Sequence, residues 1–296
     1  MNVELPSRFN RDTMYPFIKR ILDEDMLPKD NEIVFDFKRL TFIGPVGVTV
    51  LSNLIGKLHK HGARVSFSYP NPNKNDKKCP ISFLDDSMFF KHYLGNTLDS
   101  TSSLRPTTLP LKNVTYMESY QYLDHAMHWL AGKLMLTKKS VGDIEMSMSE
   151  IFNNIKDHSS ENNGFFFMQQ FPKNDTVTVA VSDFGIGIPK NVQTKHPYLN
   201  DASAILMAIN EGFTTKSTPR NRGAGLGILI DNVVRNNKGT VYIHSNGGIL
   251  SCEYINNKVE IKPKPSFGFY PGTLIEMNFR TDTIEYIEEE FSWDDY

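Results

Sequence analysis

Glu150, Asn154 and Asp157 recur at i, i+4 and i+7, so a helix over residues 143–159 would carry them on one face, with His158 beside them. A carboxylate and a carboxamide one turn apart can address one small volume. Their oxygens suit Mg²⁺, and Glu150 can accept a proton from a nucleophile. The same residue types also make an ordinary solvated helix face. Further along, Gly223, Gly225 and Gly227 alternate with Ala224 and Leu226 ahead of a helix-patterned stretch ending near Gly239. Glycines let backbone N–H groups approach phosphate oxygens, and a helix N-terminus adds unpaired N–H groups and the positive end of its dipole. Tight packing or a plain turn would use glycines too. Between these segments, the β-patterned run from Thr176 to Ser182 leads into Asp183-Phe184-Gly185-Ile186-Gly187-Ile188-Pro189. An Asp at a strand end can accept a hydrogen bond from an exocyclic amine. Gly185 and Gly187 let backbone lie flat against a planar ring, and Ile186 and Ile188 can line its pocket. A strand-to-turn cap is the other use of such residues.

These groups need a scaffold, and the apolar periodicity outlines one. Ile144, Met148, Ile151 and Ile155 form the buried stripe of the helix that carries Glu150 and Asn154. A second helix is predicted over residues 116–136 from Tyr120, Leu123, Met127 and Leu130, and a short one over the apolar patch 202–209. His125, between acidic and apolar neighbours on the first of these, reads as structural. In the N-terminal third, residues 32–37 alternate as a strand, Val50, Leu51, Leu54 and Leu58 mark a helix, and residues 63–69 return as a strand, a βαβ unit. Residues 71–78 read as an exposed loop and 95–110, rich in Ser, Thr and Pro, as a linker.

In their order, the three chemical segments resemble the GHKL ATP-binding fold of gyrase, MutL, the heat-shock chaperone of that class and the histidine kinases, over about residues 118–280. Residues 150–158 look like the N box, Asp183 to Gly187 the G1 box and Gly223 to Gly227 the G2 box. The resemblance implies an α/β sandwich, a mixed sheet covered by helices on one face. Within it Asp183 would bind the adenine amine, Asn154 would ligate Mg²⁺ and Glu150 would be the general base, with a water-mediated place near the metal also open to it. Asp157, His158, Gly185, Gly187, Ile188, Leu226 and the three glycines of the G2 box would complete the nucleotide site. Thr273, after Gly272 at a strand start, matches the late Gly-Thr that supports the adenine-binding Asp. Residues 190–222 fall where the family carries its ATP lid, with Thr215 and Lys216 placed to reach a γ-phosphate. The spacing of Glu150, Asn154 and His158 is similar to the anti-sigma-factor serine kinases, whereas Asp157 is closer to gyrase and MutL.

The N-terminal βαβ unit resembles a STAS domain, the partner fold of those kinases. Its strand-to-helix junction reads Ile43-Gly44-Pro45-Val46-Gly47 in place of Ile-Asp-Ser-Ser-Gly, without the aspartate and the phosphorylatable serine. The expected organisation is a STAS-like docking or regulatory domain over 1–110, a GHKL domain over 111–281 and an acidic, aromatic tail over 282–296. The function implied is ATP binding with hydrolysis, or phosphoryl transfer to a protein, coupled to regulation of a protein partner or of a second copy of the chain. A non-catalytic ATP-binding sensor or scaffold is the alternative. A DNA-repair or topology ATPase ranks behind both, because only a short tail follows Arg280.

Composition sets the outer bounds. The 296 residues, 40% of them apolar, can fill two cores. A net charge of −2 gives no bulk electrostatic case for nucleic acid. Two distant cysteines, Cys79 and Cys252, exclude a disulfide framework and a zinc site. No apolar run approaches the roughly 20 residues of a membrane span and no signal-peptide pattern is present, so a cytoplasmic protein is expected.

Overall fold

The computed structural model describes residues 1–158, 163–210 and 225–288, apart from the side chains of 156–158 and 163. The chain is mixed α/β. In the N-terminal part, β1 (Asn2–Glu4), β3 (Glu32–Asp36) and β5 (Arg64–Ser68) form a parallel sheet in the order β1-β3-β5, while β2 (Arg8–Phe9) pairs with β4 (Phe42–Ile43). The helices here are α1 (Met14–Ile21), α2 (Pro45–Lys60), α3 (Pro80–Asp86) and α4 (Phe89–Leu94). The β3-α2-β5 unit falls where the alternation and helical spacing put it. Residues 95–107 contain no helix or strand and are stitched to α3: the buried Asp85 carboxylate accepts hydrogen bonds from Leu98 N at 2.8 Å and Asp99 N at 3.1 Å, and also from Ser102 Oγ.

The second part is a five-stranded sheet in the order β6-β7-β8-β10-β9. Its strands are β6 (Thr108–Thr115), β7 (Asn163–Phe171), β8 (Thr176–Asp183), β9 (Thr240–Ile255) and β10 (Lys258–Arg280). Every neighbouring pair runs antiparallel, so the expected mixed sheet is corrected. The reason is topological. β8 and β9 run in the same sense but β10 lies between them, antiparallel to both, so the crossover from β8 to β9 creates no parallel pair. That crossover holds α7 (Ile188–Gln193), α8 (Asp201–Ile209) and α9 (Gly225–Ile230), the last continuing as a π-helical turn to Asn236. Helices α5 (Ser119–Leu134) and α6 (Gly142–His158) cover one face. Asp143 and Glu145 sit in the first turn of α6, where negative charge favours the dipole. Among the described residues no helix is long and apolar enough to cross a membrane.

Helices cover the other face too, which also departs from the expected one-sided cover. Side chains alternate across each strand. On β7, Phe166 and Met168 join the core beneath α5 and α6, while Phe165 and Phe167 join the N-terminal core built around α2. On β8, Val179 and Val181 take the first side. On the second, Thr49 of α2 reaches the Ala180 carbonyl at 3.5 Å and Asn53 Nδ2 donates to Ser182 Oγ at 2.8 Å. α2 is therefore buried on most of its surface, as its run of Val, Leu and Ile requires. Each large apolar side chain buried in this shared core contributes about 1.5–3 kcal/mol relative to exposure.

Candidate functional site

Antiparallel pairing and alternation bring the chemical residues to one place. Asp183 ends β8 on the same face as Val181, beneath α6, and its Cα partner on β10 is Thr273. Both side chains line an open cleft that encloses about 420 Å³, its mouth to solvent included. From α6 come Ile151, Asn154 and Ile155, from the turn after β8 Gly187, from the start of α7 Ile188, from α9 Leu226 and from β10 Ile275. The walls are apolar. The polar groups are Asp183, Thr273 and Asn154.

Asp183 is 8% exposed, and one of its carboxylate oxygens accepts the Gly185 N–H at 2.7 Å, which fixes its rotamer. Gly272 has φ +97°, and a Cβ there would collide with the Asp183 carbonyl. A glycine is needed for the strand carrying Thr273 to pass so close. Ser245 of β9 ties the site together. Its Oγ accepts the Ile188 N–H at 2.9 Å, donates to the Gly272 carbonyl at 2.6 Å and lies 3.1 Å from Thr273 Oγ1. Asn246, at φ 52°, donates through Nδ2 to the Ile186 carbonyl at 3.2 Å. A Cβ on Gly187 would lie 2.7 Å from its Oδ1.

Glu150 is half-buried one turn before Asn154, and desolvation raises its carboxyl above the ordinary glutamate range. A Cβ at Gly225 would stand 2.5 Å from Glu150 Oε2 and 3.8 Å from Asn154 Nδ2, so the start of α9 lies directly against the Glu150 carboxylate and beside the Asn154 amide. Among the described residues Asn154 Nδ2 is buried without a hydrogen-bond partner, an unsatisfied group that a ligand can relieve. The two ends of a carboxamide are nearly isosteric, so a half-turn presents its oxygen instead. Among the described residues no group of three or more His, Cys, Asp or Glu side chains is placed to hold a metal.

Glu150, Asn154, Asp183, Gly187, Ile188, Gly225, Leu226 and Thr273 thus converge on one cleft or its immediate wall. Gly185 supports Asp183 from beside it. Gly227 does other work: a Cβ there would lie 2.8 Å from the Ile209 carbonyl, so its bareness lets α9 pack on the end of α8. Ile186 is 42% exposed and lines nothing in the cleft. Asp157 and His158 close α6, and their side chains lie outside the description, as do Thr215, Lys216 and Gly223 entirely. Ser245 and Asn246 were missed by sequence reasoning. Their signal is the break Ser245-Asn246-Gly247-Gly248 inside an otherwise β-patterned run, where the register between β9 and β10 shifts. Comparison of the sequence with models of known protein families and with curated proteins found no match, so the functional reading rests on this geometry and on the motifs that build it.

Proposed function

We propose that the chain binds ATP with Mg²⁺ in this cleft, in the manner of the GHKL fold it resembles, and uses the bound nucleotide to act on a protein partner. The observation that supports this most is the meeting of Glu150, Asn154 and Gly225 at one wall of an apolar cleft whose opposite wall presents Asp183 backed by Thr273. Asp183 accepts a hydrogen bond from the adenine amine, and Val181, Ile188, Leu226 and Ile275 enclose the ring. Asn154 offers a carboxamide oxygen to Mg²⁺. Glu150, with its proton affinity raised by burial, takes a proton from water or from a partner hydroxyl. Bound Mg²⁺-ATP supplies the activated γ-phosphoryl group and the charge neutralisation that its transfer needs.

The N-terminal unit, STAS-like in this reading, serves as a docking and regulatory element. Pro45, Val46 and Gly47, at the position of the usual acceptor serine, are buried, and Gly47 packs against the Phe9 carbonyl. The junction offers no side-chain hydroxyl for phosphorylation.

Incubation with γ-labelled ATP, with and without cell extract, separates the catalytic outcomes. Label is expected to leave ATP for free phosphate or for a protein, and to stay on ATP when Glu150 is replaced. Tight ATP binding with no release of label under any condition would sink the catalytic half of the proposal and favour a passive sensor.

A further inference from the structure

The cleft is reached from the N-terminal unit by a chain of hydrogen bonds that is buried at its centre, at His244. Tyr15 of α1 packs on Gly268 of β10, where a Cβ would come within 2.6 Å of the ring, and its hydroxyl lies 3.0 Å from His244 Nδ1. His244 is fully buried, edge-on to Tyr15, and its Nε2 lies 3.1 Å from the Asn246 carbonyl. The ring also hydrogen-bonds the Gly268 backbone; a carbonyl can only accept, and the contact with Asn246 is made by the tautomer that carries its proton on Nε2. In the neutral ring Nδ1 then accepts from the Tyr15 hydroxyl. Burial pushes the imidazole pKa down to about 4, which keeps it neutral. Asn246, left-handed at the bulge, continues the chain by donating to the Ile186 carbonyl, and Gly187 rests against its amide.

We propose that Tyr15 and His244 are positioning residues for the nucleotide cleft: through Asn246 they hold the loop from Gly185 to Ile188, so that docking of α1 and occupancy of the cleft are coupled. This deepens the ATP-binding reading and rests on it for the ligand. The loop's immediate neighbour Asp183 sits at the end of the same strand as Ser182, which Asn53 of α2 and Tyr270 also hold, so the N-terminal unit grips the site from two sides. Coupling is reciprocal. A nucleotide that orders the loop tightens the Tyr15 contact, and a partner that pulls α1 away loosens the nucleotide.

The test is Tyr15→Phe, which keeps the ring on Gly268 and deletes only the hydroxyl, in the full chain. In nucleotide-free protein, hydrogen exchange across residues 184–188 is expected to quicken. The ATP dissociation constant is expected to rise by roughly 2- to 30-fold. Asn246→Ala cuts the same chain at its far end while leaving α1 docked, and the double variant should lose less than the sum of the two. Arg11→Ala removes a different contact of the N-terminal unit, the 2.7 Å ion pair with Glu276, and should leave ATP affinity within about twofold of the parent. Unchanged loop exchange in Tyr15→Phe, strictly additive effects, or an equal loss in Arg11→Ala would overturn the proposal. If the parent protein does not bind ATP, the functional reading fails instead, and loop exchange still decides whether the chain positions the loop.

Discussion

Glu150→Gln is expected to lower turnover by about 10²–10⁴-fold, the usual contribution of a general base, while raising the thermal midpoint at neutral pH. The two effects share one cause. Burial raises the Glu150 carboxyl pKa, so the folded state binds its proton more readily than the unfolded chain does. For an acid shifted in this direction, the ionised form costs stability at every pH above the folded-state value. That cost fades as pH falls through the folded-state value towards the unfolded one. Gln carries no charge and avoids the cost. The midpoints of parent and variant should therefore differ at neutral pH and converge on acidification, measured by thermal melts across pH. The acid limb of kcat/KM in the parent should lie above the ordinary glutamate range. A variant that turns over at the parental rate would remove Glu150 from the chemistry, and one less stable than the parent at neutral pH would remove the desolvation account.

Asp183→Asn is expected to weaken ATP binding by about 10- to 100-fold, the value of a hydrogen bond to a charged group in a buried site. After this substitution the amide oxygen keeps the Gly185 N–H, now held at 2.7 Å by the carboxylate, and an NH₂ stands where the second carboxylate oxygen was. Two donors then face each other across the adenine amine. A hypoxanthine base carries a carbonyl at that position, so the variant should bind the inosine nucleotide better than the adenosine nucleotide, reversing the parental order. Calorimetric titration of both nucleotides into both proteins measures this directly. Equal ATP affinity in the two proteins would mean that Asp183 is a strand cap and nothing more.

How much of this was legible in the sequence follows from the range over which each feature is specified. The stripe of Ile144, Met148, Ile151 and Ile155 fixes which face of α6 is buried, and so where Glu150 and Asn154 point; that is local information, and α6 follows it. The β8 strand ending at Asp183 and the short helix at 201–209 are local in the same sense. The neighbours of β8 are not. Nothing in the periodicity of residues 258–280 says that β10 inserts between β8 and β9, because strand pairing is set by contacts distant in sequence. The strands β6 and β7 were hard to read for a related reason. Phe165, Phe166, Phe167 and Met168 are all buried, since α2 lies on one side and α5 and α6 on the other, so the alternation that announces a half-buried strand is missing. β6 begins at Thr108, inside the segment expected to be linker. Ser245 and Asn246 belong to the same class of omission: they join the site only because a bulge in β9 turns them onto the loop after β8.

The central claim, that ATP occupies the cleft between α6 and the strands β8 and β10, has a direct test in the isoleucine methyl groups. Ile151, Ile155, Ile188 and Ile275 line the cleft, whereas Ile33 and Ile81 are buried in the N-terminal core. In protein labelled only at isoleucine methyls, Mg²⁺-ATP is expected to shift the first four resonances in a saturable manner and to leave those of Ile33 and Ile81 in place. Saturation with millimolar Mg²⁺-ATP that leaves the four cleft methyls unmoved would contradict the account.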